Sequence, residues 1–234
     1  MADPILEISG LSTGYGDFQA LFDVSLALQE RSVLGLVGAN GAGKSTLFKA
    51  ILGLLPRKHE MVRFRGRPIG DIRTEDLAAL GIVMVPEGRR LFRSLSVEEN
   101  LTLAAEHGRS GEWTVNRIFD LFPILREKRR QGATSLSGGQ QQMVAIGRAL
   151  VANPDVILFD EISLGLAPIV VGDVYAAMPE ITGSGISAIV VEQDVERVRK
   201  LANTLVCLSE GHVVLSGPAQ DFTRAQLTAA YFGE

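Results

Sequence analysis

Nine consecutive residues, Gly38-Ala39-Asn40-Gly41-Ala42-Gly43-Lys44-Ser45-Thr46, limit what this chain can fold into more than any other stretch. They fit the phosphate-loop spacing G-x-x-x-x-G-K-[ST]. The apolar run Val33-Leu34-Gly35-Leu36-Val37 before them reads as a short buried strand. The residues after them, from Leu47, read as the first turns of a helix closed by Gly53. Strand, glycine-rich loop and helix are the context the motif needs. The glycines let backbone N–H groups turn toward a phosphate, and the helix start adds further donors and the positive end of its dipole. Lys44 would reach the β- and γ-phosphates, and the Ser45 hydroxyl would ligate Mg²⁺. A glycine-rich turn that binds nothing leaves the lysine, the hydroxyl and both flanks unexplained. The stretch predicts binding of a nucleoside triphosphate.

At 234 residues the chain can build one sizeable core with a satellite lobe, or two small domains. Its 46% hydrophobic and 21% charged residues are ordinary for a globular protein. A net charge of −4 argues against nucleic acid as the main partner, because a phosphate-binding face needs a basic excess. The single cysteine, Cys207, excludes an intrachain disulfide and fits a reducing compartment. It stands in the apolar run Leu205-Val206-Cys207-Leu208, where a small core residue is expected. Met1-Ala2-Asp3-Pro4 shows no basic-then-apolar leader pattern, and no apolar run approaches the roughly 20 residues of a membrane helix. The expectation is a cytosolic protein, or one attached to a membrane only through something else.

Two alternating runs, from Ile5 to Ile8 and from Phe22 to Leu26, flank the turn-rich Gly14-Tyr15-Gly16-Asp17. Met61 to Phe64 adds a short strand, so a small antiparallel layer is expected beside the nucleotide-binding sheet. Thr74 to Leu80 reads as a short helix and Ile82 to Val85 as a buried strand. From about residue 96 to 152 the pattern is helical. Ser96 with Glu99 forms a capping box, a helix is expected from Trp113 to Leu121 with Pro123 as a break, and a long helix follows Ser137. Strands at Val156 to Phe159 and Ile189 to Val191, with a helix around Val170 to Met178 between them, imply parallel, helix-covered strands. Leu205 to Leu208 and Val213 to Leu215 read as a closing hairpin. The expectation is one α/β domain over residues 1–234, with a helical subdomain at about 96–152 inserted in its core.

Two further constellations carry chemistry. Val156-Ile157-Leu158-Phe159 ends in Asp160-Glu161. A strand end there would deliver Asp160 to the magnesium shell, directly or through water, and Glu161 to the water that attacks the γ-phosphate. Two acids after a strand also occur in solvated turns, and the phosphate loop in the same chain favours the first reading. Leu136-Ser137-Gly138-Gly139-Gln140 opens a helix, and its glycines and hydroxyl read as a second anion cradle. One γ-phosphate has no need of two cradles from one chain, so this one is assigned to the nucleotide of a second subunit. A plain helix cap is expected to explain Ser137 but not both glycines and Gln140.

Taken together, residues 38–46, 136–140 and 160–161 resemble the Walker A, signature and Walker B motifs of ATP-binding cassette (ABC) ATPases, and the similarity runs over essentially the whole chain. The resemblance implies a RecA-like phosphate-loop NTPase fold with a small antiparallel layer and an inserted helical subdomain. It places Tyr15 where the family has an aromatic that stacks on adenine, and residues 163–166 at the loop that communicates across an ATPase dimer.

Two positions depart from the general family pattern. Glu87 stands where most members have a coupling glutamine, and Gln193 where most have a switch histidine. With Ser163-Leu164-Gly165-Leu166-Ala167-Pro168, these resemble the ATPases of branched-chain amino acid importers, in particular the shorter of the two ATPase subunits of that system. Ile162 replaces the proline usual in the family. The resemblance implies ATP and Mg²⁺ as cofactors, and hydrolysis through Lys44, Glu161 and Gln193. It implies a second ATPase subunit, identical or not, two transmembrane permeases and an external solute-binding protein. Location at the cytoplasmic face of the inner membrane, as a peripheral protein, goes with these. A urea or amide importer and a soluble ABC ATPase outside transport are the alternatives. Arg89, Arg90 and Arg93 beside Leu91 and Phe92 read either as a docking surface for the membrane subunits or as a solvated basic loop. Arg126 to Arg130 reads as a solvated helix end, and His59, His107 and His212 show no metal-ligand spacing.

Overall fold

The computed structural model describes residues 3–232. In chain order the strands and helices are β1 (Leu6–Tyr15), β2 (Phe18–Leu28), β3 (Val33–Val37), α1 (Lys44–Ile51), β4 (Val62–Phe64), β5 (Arg67–Pro68) and α2 (Leu77–Leu80). Then come β6 (Ile82–Val85), α3 (Val97–Glu106), α4 (Val115–Leu121), α5 (Pro123–Glu127), α6 (Gly138–Leu150), β7 (Val156–Asp160) and α7 (Pro168–Gly183). The chain closes with β8 (Ser187–Val191), α8 (Val195–Leu201), β9 (Thr204–Ser209), β10 (His212–Pro218) and α9 (Arg224–Phe232). They form two compact units, one from the residues up to 77 together with those from 187 on, the other from residues 78–186.

The first unit holds two sheets. The antiparallel sheet runs β2-β1-β4-β5, with Leu6 opposite Leu28 and Tyr15 opposite Phe18. In the other, β3 lies parallel to both β8 and β9, and β10 closes the edge antiparallel to β9. All five residues of β3 are buried, as are those of β8, which is why these segments read as unbroken apolar runs and not as alternation. Val37, Leu205 and Cys207 of this sheet pack with Val198 of α8 and Leu227 of α9. Burial pushes the Cys207 thiol up to about 11, against a lowering influence of the Lys44 ammonium, so this cysteine stays a neutral core residue as expected.

The second unit pairs β6 and β7 in parallel, Ile82 opposite Val156 and Val85 opposite Phe159. Helix α6 packs against α3, α4 and α5, and burial of Leu101, Ile118, Leu125 and Ile146 gives these helices their apolar contact. Each such side chain, fully withdrawn from water, contributes about 1.5–3 kcal/mol. The helices α3 to α6 fall within residues 96–152.

The expected α/β architecture forms, with local differences. Tyr15 is the last residue of β1 and not part of the turn, which is confined to Gly16 and Asp17. The break expected at Pro123 is present: α4 ends at Leu121, Phe122 (φ −126°, ψ 80°) takes the corner, and Pro123 opens the separate helix α5 at its first position, where a missing N–H costs nothing. Helix α7 runs from Pro168 to Gly183, longer than the apolar pattern suggested, and α9 was not expected at all. Among the described residues no helix is long and apolar enough to cross a membrane.

Candidate nucleotide-binding site

In the first unit the chain leaves β3 at Val37 and enters α1 at Lys44 through residues 38–43. Gly38, Gly41 and Gly43 adopt φ of 150°, 84° and 107°, values that strain any residue with a Cβ. A Cβ on Gly38 would overlap the Leu208 carbonyl oxygen, and one on Gly43 would stand 2.6 Å from Leu21 Cδ2. Gly41 borders open space instead, so its need is conformational. Asn40 beside it is exposed, Ser45 is half-buried and Thr46 buried. Lys44 is buried too, and its Nζ donates to the carbonyl oxygens of Gly38 (2.7 Å) and Ala39 (3.0 Å).

The start of α1 differs from the other well-capped helices. α3, α4, α6 and α8 carry side-chain caps from Ser96, Thr114, Ser137 and Asp194. α1 begins at Gly43, in the left-handed conformation, with no side-chain cap. Its first-turn N–H groups have no acceptor within the helix. A buried ammonium stands beside this positive helix end, and both favour an anion such as a phosphate.

β8 runs parallel to β3 with Val191 opposite Leu36, so Gln193 leaves the sheet at the same carboxyl edge as the loop. Gln193 is exposed. It does not cap α8, because Asp194 Oδ1 accepts from Arg197 N at 3.1 Å. Tyr15, at the end of β1, is 44% exposed, and its hydroxyl lies 3.4 Å from Thr46 Oγ1. The first unit therefore brings Tyr15, residues 38–46 and Gln193 to one sheet edge and one helix.

In the second unit, β6 and β7 deliver Glu87 and the pair Asp160-Glu161 to a common carboxyl edge. Asp160 is buried at the end of β7. Glu161 takes φ 48°, a left-handed conformation that costs a non-glycine residue about 1–3 kcal/mol. The turn that follows is closed by Leu164 N donating to Glu161 O (3.1 Å), with Ile162 buried.

Helix α6 starts with a full capping box: Gln140 N donates to Ser137 Oγ (3.4 Å) and Ser137 N to Gln140 Oε1 (3.1 Å). The cap therefore explains Gln140 as well as Ser137, contrary to the sequence expectation. Gly139 is needed for packing, since a Cβ there would overlap Val170 of α7. Gly138 lies under Arg89, whose Nη2 would be 3.0 Å from a Cβ.

The loop after Glu87 is built with care. Gly88, Arg89 and Arg90 are left-handed in succession, with φ of 76°, 66° and 44°. Arg89 Nη1 donates to Gln141 Oε1 at 3.3 Å, and Arg148 Nη1 donates to Arg90 O at 2.7 Å. The Arg148 guanidinium, lowered below the usual arginine range by burial, also stacks 4.6 Å from the Phe92 ring centroid. Buried Asn100 accepts from Phe92 N (3.0 Å) and donates to Phe92 O (3.1 Å) and Ser96 O (2.9 Å). Arg89, Arg90 and Arg93 line a cavity of about 580 Å³ together with Glu87, Thr134 and Gln141. Sequence reasoning missed Asn100 and Arg148, which hold this loop, and also buried Glu192 at the end of β8. No local pattern separates these from ordinary helix or loop residues.

Known proteins resemble this chain over most of its length. The family described as ABC transporter matches residues 21–163. The high-affinity branched-chain amino acid transport ATP-binding protein BraG of Pseudomonas aeruginosa is 37% identical over 98% of this chain and 100% of its own length. The probable branched-chain amino acid transport ATP-binding protein LivF of Archaeoglobus fulgidus is 33% identical over 90% of this chain and 91% of its own. Among solved structures, the ADP conformation of MJ1267, an ATP-binding cassette of an ABC transporter, superposes over 100% of both chains with a TM-score of 0.82 at 26% identity. With the phosphate loop, a family match over residues 21–163 and relatives matched over 91–100% of their own lengths, this chain belongs to the ABC transporter family, as one of its ATP-hydrolysing cassettes.

Proposed function

We propose that this cassette is the nucleotide-binding subunit of an importer for branched-chain or other hydrophobic amino acids, and that it powers uptake through partner permeases. The start of α1 carries this reading: an uncapped helix end, a left-handed glycine and a buried lysine that together ask for a polyphosphate. Lys44 and the amides of residues 40–46 hold the β- and γ-phosphates, and Tyr15 takes the adenine. Ser45 and Asp160 are hard oxygen donors of the kind Mg²⁺ prefers, and the ion, when bound, would neutralise charge on the transferring phosphoryl group. Glu161 orients or deprotonates the attacking water, and Glu87 and Gln193 contact the nucleotide from their strand ends. Ser137, Gly138, Gly139 and Gln140 serve the nucleotide of a second ATPase subunit, so two such subunits sandwich two ATP molecules. The remaining partners are two transmembrane permeases and an external solute-binding protein, with the cassette peripheral on the cytoplasmic face of the inner membrane. The decisive experiment is uptake by vesicles that carry this chain together with the permeases that co-purify with it. ATP-dependent accumulation of labelled leucine or valine is expected, whereas uptake of urea or short amides in its place overturns the solute assignment.

Two expectations arise here. Gln193 can donate one neutral hydrogen bond to a charged phosphate, worth about 1.5–3 kcal/mol. Gln193→Ala is therefore expected to slow turnover roughly 10- to 100-fold, with no new titration near pH 6.5, where a histidine would titrate. Because Asp194 caps α8, the melting temperature should hold; a wild-type ATPase rate per folded molecule would remove Gln193 from the site. The second concerns the basic cavity. Arg89 packs on the start of α6, whereas Arg90 and Arg93 are exposed. Arg90→Glu with Arg93→Glu is expected to abolish co-purification with the permeases while basal ATPase survives. Full transport by this double variant would leave only a solvated loop.

A further inference from the structure

Thr46 and Lys49 lie three residues apart on α1 and so share one face of the helix. That face meets Tyr15. The Lys49 ammonium donates to the Tyr15 hydroxyl at 3.2 Å and also stands 5.2 Å from the centre of the tyrosine ring. The same hydroxyl lies 3.4 Å from Thr46 Oγ1. Partial burial alone would raise the Tyr15 phenol, yet the hydrogen bonds to Thr46 and Lys49 and the lysine charge bring it below its ordinary value. A tyrosine at a strand end, 44% exposed, ordinarily turns about its side-chain bonds; this one is moored at two points to the helix whose first turn faces the phosphates. A lysine in the last turn of α1 would suit the helix dipole wherever its side chain pointed, which accounts for its charge but not for its place on Tyr15.

We propose that Lys49 is a positioning residue for the nucleotide base: with Thr46 it fixes the Tyr15 ring as a stacking platform, so that one helix sets both the base site and the phosphate site. The inference rests on Tyr15 carrying the base. It separates Lys49 from Lys44, which acts on phosphate, and predicts that the two lysines respond to different parts of the ligand.

The test is calorimetric binding of MgATP, and of inorganic tripolyphosphate with Mg²⁺, to the full chain carrying Glu161→Gln to prevent turnover. Lys49→Met keeps most of the aliphatic stem and removes the charge. It is expected to weaken ATP roughly threefold to tenfold, the range of an exposed cation–aromatic contact with one hydrogen bond, and to leave tripolyphosphate unchanged. In a Tyr15→Ala background, Lys49→Met should cost nothing further. Equal weakening of ATP and tripolyphosphate would make Lys49 a phosphate ligand and overturn the proposal. Wild-type ATP affinity in Lys49→Met, with Tyr15→Ala clearly weakened, would overturn it while sparing the base platform. Wild-type affinity in Tyr15→Ala would remove the platform and the proposal together.

Discussion

Glu161→Gln is expected to stop ATP turnover while leaving ATP bound. Glutamine has the shape of glutamate and the same backbone demands, so the left-handed turn at φ 48° is retained and nucleotide affinity should be nearly unchanged. What goes is the carboxylate proposed to orient or deprotonate the attacking water. General-base catalysis contributes about 10²–10⁴-fold, so steady-state turnover should fall by at least roughly 100-fold. A cassette that binds but does not hydrolyse should collect as the ATP-bound pair, each nucleotide held between one subunit's residues 38–46 and the other's residues 137–140. Size-exclusion chromatography in MgATP should shift the variant from monomer to dimer, and ADP should not. A monomer in MgATP together with wild-type hydrolysis would remove Glu161 from its role.

Lys44→Ala should abolish tight MgATP binding. The ammonium is buried, 5% exposed, and is held by Gly38 O and Ala39 O inside the loop it serves. Hydrogen bonds of a cation to phosphate are worth about 1.5–3 kcal/mol each, and two of them put the loss of affinity on the order of 100-fold or more. Removing the side chain also strands the two carbonyl oxygens, so the loop itself should loosen. Calorimetry of MgATP with the purified variant, beside a thermal melt, separates the two effects. A cooperative melt with no measurable nucleotide binding is the expected pair of results. Unchanged turnover in the folded variant would sink the assignment of residues 38–46. Lys44→Arg is not a rescue, because a planar guanidinium cannot occupy the enclosed position of a compact ammonium.

Much of the fold was legible because its signals are local. β3 and β6 begin and end where the apolar runs do, and the capping box at Ser96 and Glu99 opens α3 as read. Parallel strands buried on both faces leave continuous Val, Ile and Leu runs in the sequence, and a cap is written within four residues. Where the signal was ambiguous, the reading slipped. Gln140 was assigned wholly to a ligand, whereas it also completes the cap of its own helix. Helix α9 carries only a weak apolar stripe, and its packing of Leu227 against Val198 and Cys207 depends on strands far away in sequence.

The sequence by itself determined the chemistry: a phosphate loop, an acid pair after a strand and a glycine-rich helix start, each a contiguous motif whose atoms act from backbone geometry that nearby residues enforce. Only the tertiary structure decided how those motifs are mounted. That Lys49 sits on Tyr15 and that Arg148 holds the loop after Glu87 are outcomes of packing between segments distant in sequence. A side chain's residue type fixes which bonds it can make. Which partner it meets is settled by the burial of the strands and helices that bring the two together.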